Sequence, residues 1–135
     1  MKKVFVNGTF DLIHSGHIHL LNYAKSLGDF LYVAIDTDER VKEKKGESRP
    51  VYNLKERIFH LQNLNSVDVV LSFASDEQLE NLVKIIKPDI MVVGSDWKGE
   101  TIIGSQHTKT LKFFDRIEEY ATTKIIQSII DRRQL

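Results

Sequence analysis

The chain has 135 residues, with 19 basic and 19 acidic side chains, five histidines and no cysteine; against a typical domain of about 150 residues, this predicts a single domain over 1–135 that buries roughly two-thirds of its unfolded surface. The absence of cysteine excludes a disulfide framework, a thiolate zinc site and a cysteine nucleophile, and a formal net charge of zero argues against a general electrostatic grip on DNA or RNA, though not against a local basic patch. No apolar run approaches the ~20 residues of a membrane span, and Met1-Lys2-Lys3 leads into a strand-like stretch and not a signal peptide, so a cytoplasmic protein without membrane or nucleic-acid partners is expected.

Residues 3–7 (KVFVN) are a short β-branched and aromatic run ended by Gly8, which predicts a first strand. From Gly16 the period becomes helical, with Ile18, Leu21 and Ala24 on one side and Leu20, Tyr23 and Leu27 widening the stripe; Gly28 supplies the stop. Residues 30–35 (FLYVAI) read as a near-continuous apolar strand, as expected when both sheet faces are covered. A helix follows over about 54–64 on Leu54, Ile58 and Leu61, then a third strand over 67–73. Ser75 or Asp76 can cap the next helix, which carries Leu79, Leu82, Val83 and Ile86 and ends at Pro88. Residues 90–93 form a fourth strand closed by Gly94, 111–114 are a candidate fifth strand, and 122–132 form a closing helix. This alternation predicts an α/β fold with a Rossmann-like, largely parallel open sheet of about five strands and flanking helices. Such sheets bind ligands at the carboxyl ends of their strands, near a switch in strand order. The loops after Asn7, Asp36, Phe73, Gly94 and Phe114 are therefore where function is expected.

The first of these loops reads Asn7-Gly8-Thr9-Phe10-Asp11-Leu12-Ile13-His14-Ser15-Gly16-His17. Gly8 allows close backbone approach, and Thr9 offers a hydroxyl and an amide. His14 and His17 are three apart at the start of a helix and so point the same way, with Gly16 leaving room beside them. Two imidazoles at a helix N-terminus, where free amides and the macrodipole already attract anions, suit a phosphate. Two other readings of the same residues are capping or surface histidines, and a metal held by His14, His17 and Asp11. His19 sits two residues beyond the pair and is expected to point elsewhere, and for His60 and His107 a structural or surface role is the simpler reading. Neither a Walker A sequence nor a GxGxxG motif is present.

Gly8-Thr9-Phe10-Asp11 followed by His14-x-Gly16-His17 resembles the signature of the small cytidylyltransferase-like nucleotidyltransferases, the HxGH superfamily, which implies a HUP-type nucleotidylyltransferase fold. Five further features fit. Thr122-Thr123 stands where the family has a Ser/Thr-Thr pair opening its C-terminal helix, although Ala121 replaces a common serine; Thr122 is also readable as a plain N-cap. Residues 40–49 (RVKEKKGESR) carry five basic and two acidic side chains, readable as a solvated face or as a mobile basic loop closing over a triphosphate, with Lys45 as the family's loop lysine. Arg57 matches an arginine on the following helix. Asp96 and Trp97 lie where the family has an aspartate and an aromatic near the base or ribose. Arg116 is placed to meet the acceptor's phosphate.

Within the superfamily the likeness is double. Lys45-Gly46-x-x-Arg49-Pro50-Val51, Leu54, Arg57, Val67-Asp68, Pro88-Asp89 and Ile102-x-Gly104 are similar to the adenylyltransferase domain acting on heptose 1-phosphate. Asp96-Trp97 and Arg116 before the Thr-Thr pair look like glycerol-3-phosphate cytidylyltransferase, which makes CDP-glycerol, but Glu119-Tyr120 departs from that family's pattern. The resemblance implies transfer of NMP from ATP or CTP to a phosphorylated sugar or polyol with release of pyrophosphate, leaning to the heptose substrate. In that scheme His14, His17 and Lys45 are catalytic. Gly8, Thr9, Phe10, Asp11, Gly16, Asp96, Trp97, Thr122 and Thr123 bind nucleotide, and Arg57 and Arg116 hold the acceptor. Mg2+ is the implied cofactor, carried on the triphosphate near Asp11, and a homodimer is expected. A non-catalytic nucleotide-binding regulator is the reading of a different class.

Overall fold

A computed structural model describes residues 1–115 and 122–133. The elements are β1 (Lys3–Gly8), α1 (Ser15–Ser26), β2 (Phe30–Asp36), α2 (Asp38–Lys45), α3 (Leu54–Gln62), β3 (Val69–Phe73), α4 (Asp76–Ile86), β4 (Ile90–Gly94), β5 (Thr110–Phe114) and α5 (Thr122–Arg133), with short 3-10 turns at Ser95–Trp97 and Ser105–His107. The five strands pair in the order β3-β2-β1-β4-β5, all parallel. The chain moves outward from β1 to β3 on one side and returns to the other side at β4. The strand order therefore switches at β1 and β4, and the carboxyl ends of that pair open a crevice.

Alternate residues of β1 serve two cores. Val4 and Val6 pack with Leu21 and Ala24 of α1 and Leu61 of α3, whereas Phe5 packs on the opposite face with Leu79 and Val83 of α4. All of these are essentially fully buried, which explains the continuous apolar run of a strand covered on both faces. Ser75, and not Asp76, caps α4, its hydroxyl accepting from the Gln78 amide at 3.1 Å. Gly28 does follow α1, but for steric reasons. A Cβ there would lie 2.7 Å from Val4 Cγ2 and 2.8 Å from the Lys2 carbonyl oxygen.

Two expectations change. The basic stretch is mostly helix: α2 is capped by Thr37, has Asp38 and Glu39 in its first turn and Lys42, Lys44 and Lys45 in its last, and ends at Gly46 with φ +101°. Charge placed to match the helix dipole at both ends and a cap supply what apolar periodicity does not; only Arg40 and Val41 are buried, so no stripe marks the helix in the sequence. The third strand begins at Val69, because Asp68 turns aside to accept from the Leu31 amide at 2.7 Å and from Lys25 Nζ at 2.6 Å. Among the described residues, no helix is long and apolar enough to cross a membrane.

Candidate active site

The loop between β1 and α1 is held in an unusual shape. Phe10 and Leu12 are both left-handed, with φ of +52° and +50°, a conformation that disfavours side chains and commonly costs about 1–3 kcal/mol per residue. It turns the Phe10 ring into the core, where it is 4% exposed, and against the His17 ring at a centroid distance of 5.2 Å. Gly8 is needed beneath it, since a Cβ would meet Phe10 Cε2 at 3.0 Å.

Asp11 lies between these two strained residues and secures the turn. Its carboxylate accepts from the Val51 amide at 2.6 Å and the Tyr52 amide at 3.0 Å, and it sits 3.7 Å from Arg49 Nε. Its carbonyl accepts from Thr122 Oγ1 at 2.9 Å. One buried aspartate thus ties the first loop to the segment before α3 and to the start of α5.

His14 and His17 build the N-terminus of α1 by capping each other. His14 is the N-cap, its Nδ1 accepting from the Gly16 amide at 3.1 Å, while Nδ1 of His17, three residues on, accepts from the His14 amide at 3.2 Å. The arrangement is a capping box made of imidazoles. The rings stack with centroids 3.8 Å apart. Because Nδ1 is the acceptor in both rings, the ring proton resides on Nε2 in both. Capping and ligand binding are therefore one device: the helix cap selects the tautomer whose other nitrogen is a donor.

Both rings line a cavity of about 330 Å³ at the carboxyl ends of β1 and β4. Gly8, Thr9, Phe10 and Gly16 line it from the first loop, Lys45 from the end of α2, and Asp96 and Trp97 from the turn after β4. Thr122 and Thr123 close it with the first turn of α5. Trp97 is 53% exposed there. Two helix N-termini, two imidazole N–H donors and a lysine surround a space open to ligand, an environment suited to a chain of phosphates.

Three site residues do not behave as expected. Asp11 does not line the cavity, and both of its oxygens are taken by backbone amides. In this arrangement it positions the loop, and His14, His17 and Asp11 are not gathered as one metal-holding group. Among the described residues no group of three or more His, Asp or Glu side chains is arranged to hold a metal. Arg57 is fully buried and donates to the Tyr52 carbonyl at 3.0 Å, the Thr9 carbonyl at 3.0 Å and Asp38 Oδ1 at 2.7 Å. It braces the first loop from behind and does not line the cavity. Arg116 lies outside the described residues. Conversely, Arg49 lines the cavity and was not singled out as a site residue. Its place in the Lys45-Gly46-x-x-Arg49 run is the sequence signal for it. His60 and His107 sit away from the cavity, beside Glu56 and Glu80 respectively.

A parallel sheet with a switch point at β1 and β4, and an HxGH helix start facing a phosphate-sized space, define a nucleotidyltransferase domain. The chain belongs to the cytidylyltransferase-like family, which matches it over residues 5–129. It is 43% identical over 128 residues to the bifunctional protein HldE of Helicobacter hepaticus and 42% identical over 132 residues to that of Campylobacter concisus. Those matches cover 95% and 98% of this chain but 26% and 28% of the relatives, so the chain spans about a quarter of their length. Among solved structures it resembles a lipopolysaccharide core biosynthesis protein from Thermoplasma volcanium, with a TM-score of 0.67 and 26% identity, covering 84% of this chain and 97% of that one. A pantothenate synthetase from Thermus thermophilus, at a TM-score of 0.60 and 13% identity over 85% of this chain and 56% of the other, shares the fold.

Proposed function

We propose that the domain transfers an adenylyl group from ATP to a sugar 1-phosphate of the heptose class, releasing pyrophosphate. The observation that carries the reading is the reciprocal His14–His17 cap, which fixes one tautomer in two rings that line a cavity together with Lys45 and the first turn of α5. The likeness to the heptose 1-phosphate adenylyltransferase domain from Lys45 through Arg57 and the identity to the HldE proteins support the choice of substrates.

In this reaction an oxygen of the acceptor phosphate attacks the α-phosphorus. A P–O bond forms, the bond to the bridging oxygen breaks, and pyrophosphate leaves with the electron pair. The acceptor phosphate is already ionised near neutral pH, so no protein base is required. The protein's task is alignment and charge neutralisation. The imidazole N–H groups of His14 and His17 serve the α-phosphate and the bridging oxygen, whose charge grows in the transition state. The amides of the first turn of α5, with the Thr123 hydroxyl, receive the outer phosphates, and Lys45 covers them. Asp96 and Trp97 serve the nucleoside end.

We further propose Mg2+ as the ion accompanying the triphosphate, where it supplies charge neutralisation, and a homodimer as the working assembly. Asp96-Trp97 favours a second reading, glycerol-3-phosphate cytidylyltransferase. Incubation with ATP or CTP and a panel of phosphorylated sugars and polyols, with product mass and pyrophosphate release as readouts, tests both. An ADP-sugar supports the first reading and CDP-glycerol the second. Nucleotide binding without pyrophosphate release on any acceptor overturns both in favour of a regulator.

A further inference from the structure

Three arginines lie buried or nearly so near the carboxyl end of the sheet, and two are fully employed. Arg57 makes three hydrogen bonds, and Arg40 is paired with Asp36 and Asp76 with its guanidinium over the Phe73 ring. Arg49 differs. Its side chain is 14% exposed, its Nε is buried without a hydrogen-bond partner, and its one ion contact among the described residues is the 3.7 Å approach to Asp11. Among the described residues no hydrogen bond reaches its guanidinium. Asp11 is held by the Val51 and Tyr52 amides with its Oδ2 3.7 Å from Arg49 Nε, beyond hydrogen-bond distance.

A guanidinium whose Nε–H is withdrawn from water and left unbonded is a costly arrangement for a folded chain to keep. Here it lines the same cavity as His14, His17 and the start of α5. Asp11 cancels its charge well enough for it to be tolerated in the absence of ligand, yet leaves its donors unspent. A planar fork of donors matches two oxygens of one phosphate, which a lysine ammonium does not.

We propose that Arg49 is a phosphate-binding residue of this cavity, held in place by Asp11 and donating to a phosphate of either the nucleoside triphosphate or the phosphorylated acceptor. The inference rests on reading the cavity as a phosphate site, but it does not require that transfer take place. It replaces Arg57 as the cation supplied by the segment after α2.

The test uses the whole chain labelled with 15N, in which the arginine Nε–H signals are observed directly and that of Arg49 is assigned by its loss in Arg49→Lys. Inorganic pyrophosphate, ATP and glucose 1-phosphate are added separately. Movement of the Arg49 signal with pyrophosphate and ATP places the residue on the triphosphate. Movement with glucose 1-phosphate alone places it on the acceptor. An Arg49 signal unmoved by all three overturns the proposal. In parallel, Arg49→Gln weakens binding of the ligand so identified by roughly ten- to a hundredfold, the range of a charge-assisted hydrogen bond, whereas Lys109→Gln, at the opposite end of the strands, does not. Wild-type affinity in a folded Arg49→Gln also overturns it. Should the substrate panel yield no product while the Arg49 signal still moves, the transferase reading fails and this one stands.

Discussion

Replacing Asp11 by asparagine separates two accounts of this residue. In the structure its side chain is 1% exposed, accepts two amide hydrogen bonds at 2.6 and 3.0 Å, and is the one counter-charge close to Arg49 Nε among the described residues. Asparagine keeps the shape but turns one acceptor oxygen into an NH2 group that faces a backbone N–H. One hydrogen bond to a charged group is lost, about 1.5–3 kcal/mol, and the Arg49 guanidinium is left without its partner. Removal of one member of a buried pair costs about 3–5 kcal/mol in all. Against a total stability of about 5–15 kcal/mol, that is a large fraction, and it corresponds to a fall in Tm of roughly 10–25 °C for a domain of this size. Thermal and urea unfolding followed by far-UV circular dichroism measure it, and Asp11→Ala, which removes both acceptors, falls at least as far. If Asp11→Asn melted within about 2 °C of the wild type while losing turnover, the positioning role would be wrong and a role in contact with metal or substrate would be restored.

His17→Gln keeps the capping box, because glutamine at the third helical position can accept from the N-cap amide, so the helix survives while turnover falls by about 10²–10³; full activity in this variant would reduce His17 to a cap. Trp97, the chain's one tryptophan and 53% exposed at the cavity edge, changes its emission on titration with nucleotide; saturation without a change would remove it from the nucleotide's surroundings. Acid weakens the fold through Asp68, among others. Burial raises its carboxyl, but the hydrogen bonds from Lys25 and the Leu31 amide outweigh that and hold it below the usual range; Arg40 lowers Asp76, and the Lys3 amide with Lys109 lowers Asp89. A depressed carboxyl contributes stability above its unfolded pKa of about 3.9, and that contribution is lost as pH falls through the folded value. The urea midpoint therefore drops below about pH 4, and less steeply in Asp68→Asn; an equal slope in the variant would discount that pair.

Strand and helix periods are local properties, so the alternation, the buried runs of β1 and β2 and the position of the histidine pair at a helix start were all readable from residue spacing. So was the place of the candidate site, since Gly8 to His17 is one continuous segment that follows the first strand and opens a helix. What spacing could not convey is which charged groups face the cavity. Asp11, Arg49 and Arg57 look equally available in the sequence. Their roles separate only when the segment at 49–57 is packed against the first loop, 40 or so positions away. Burial then decides: a buried ion must be matched by whatever surrounds it. Arg57 is matched by carbonyls and Asp38, and Asp11 by amides. Arg49 is the one left with donors unspent at the cavity wall.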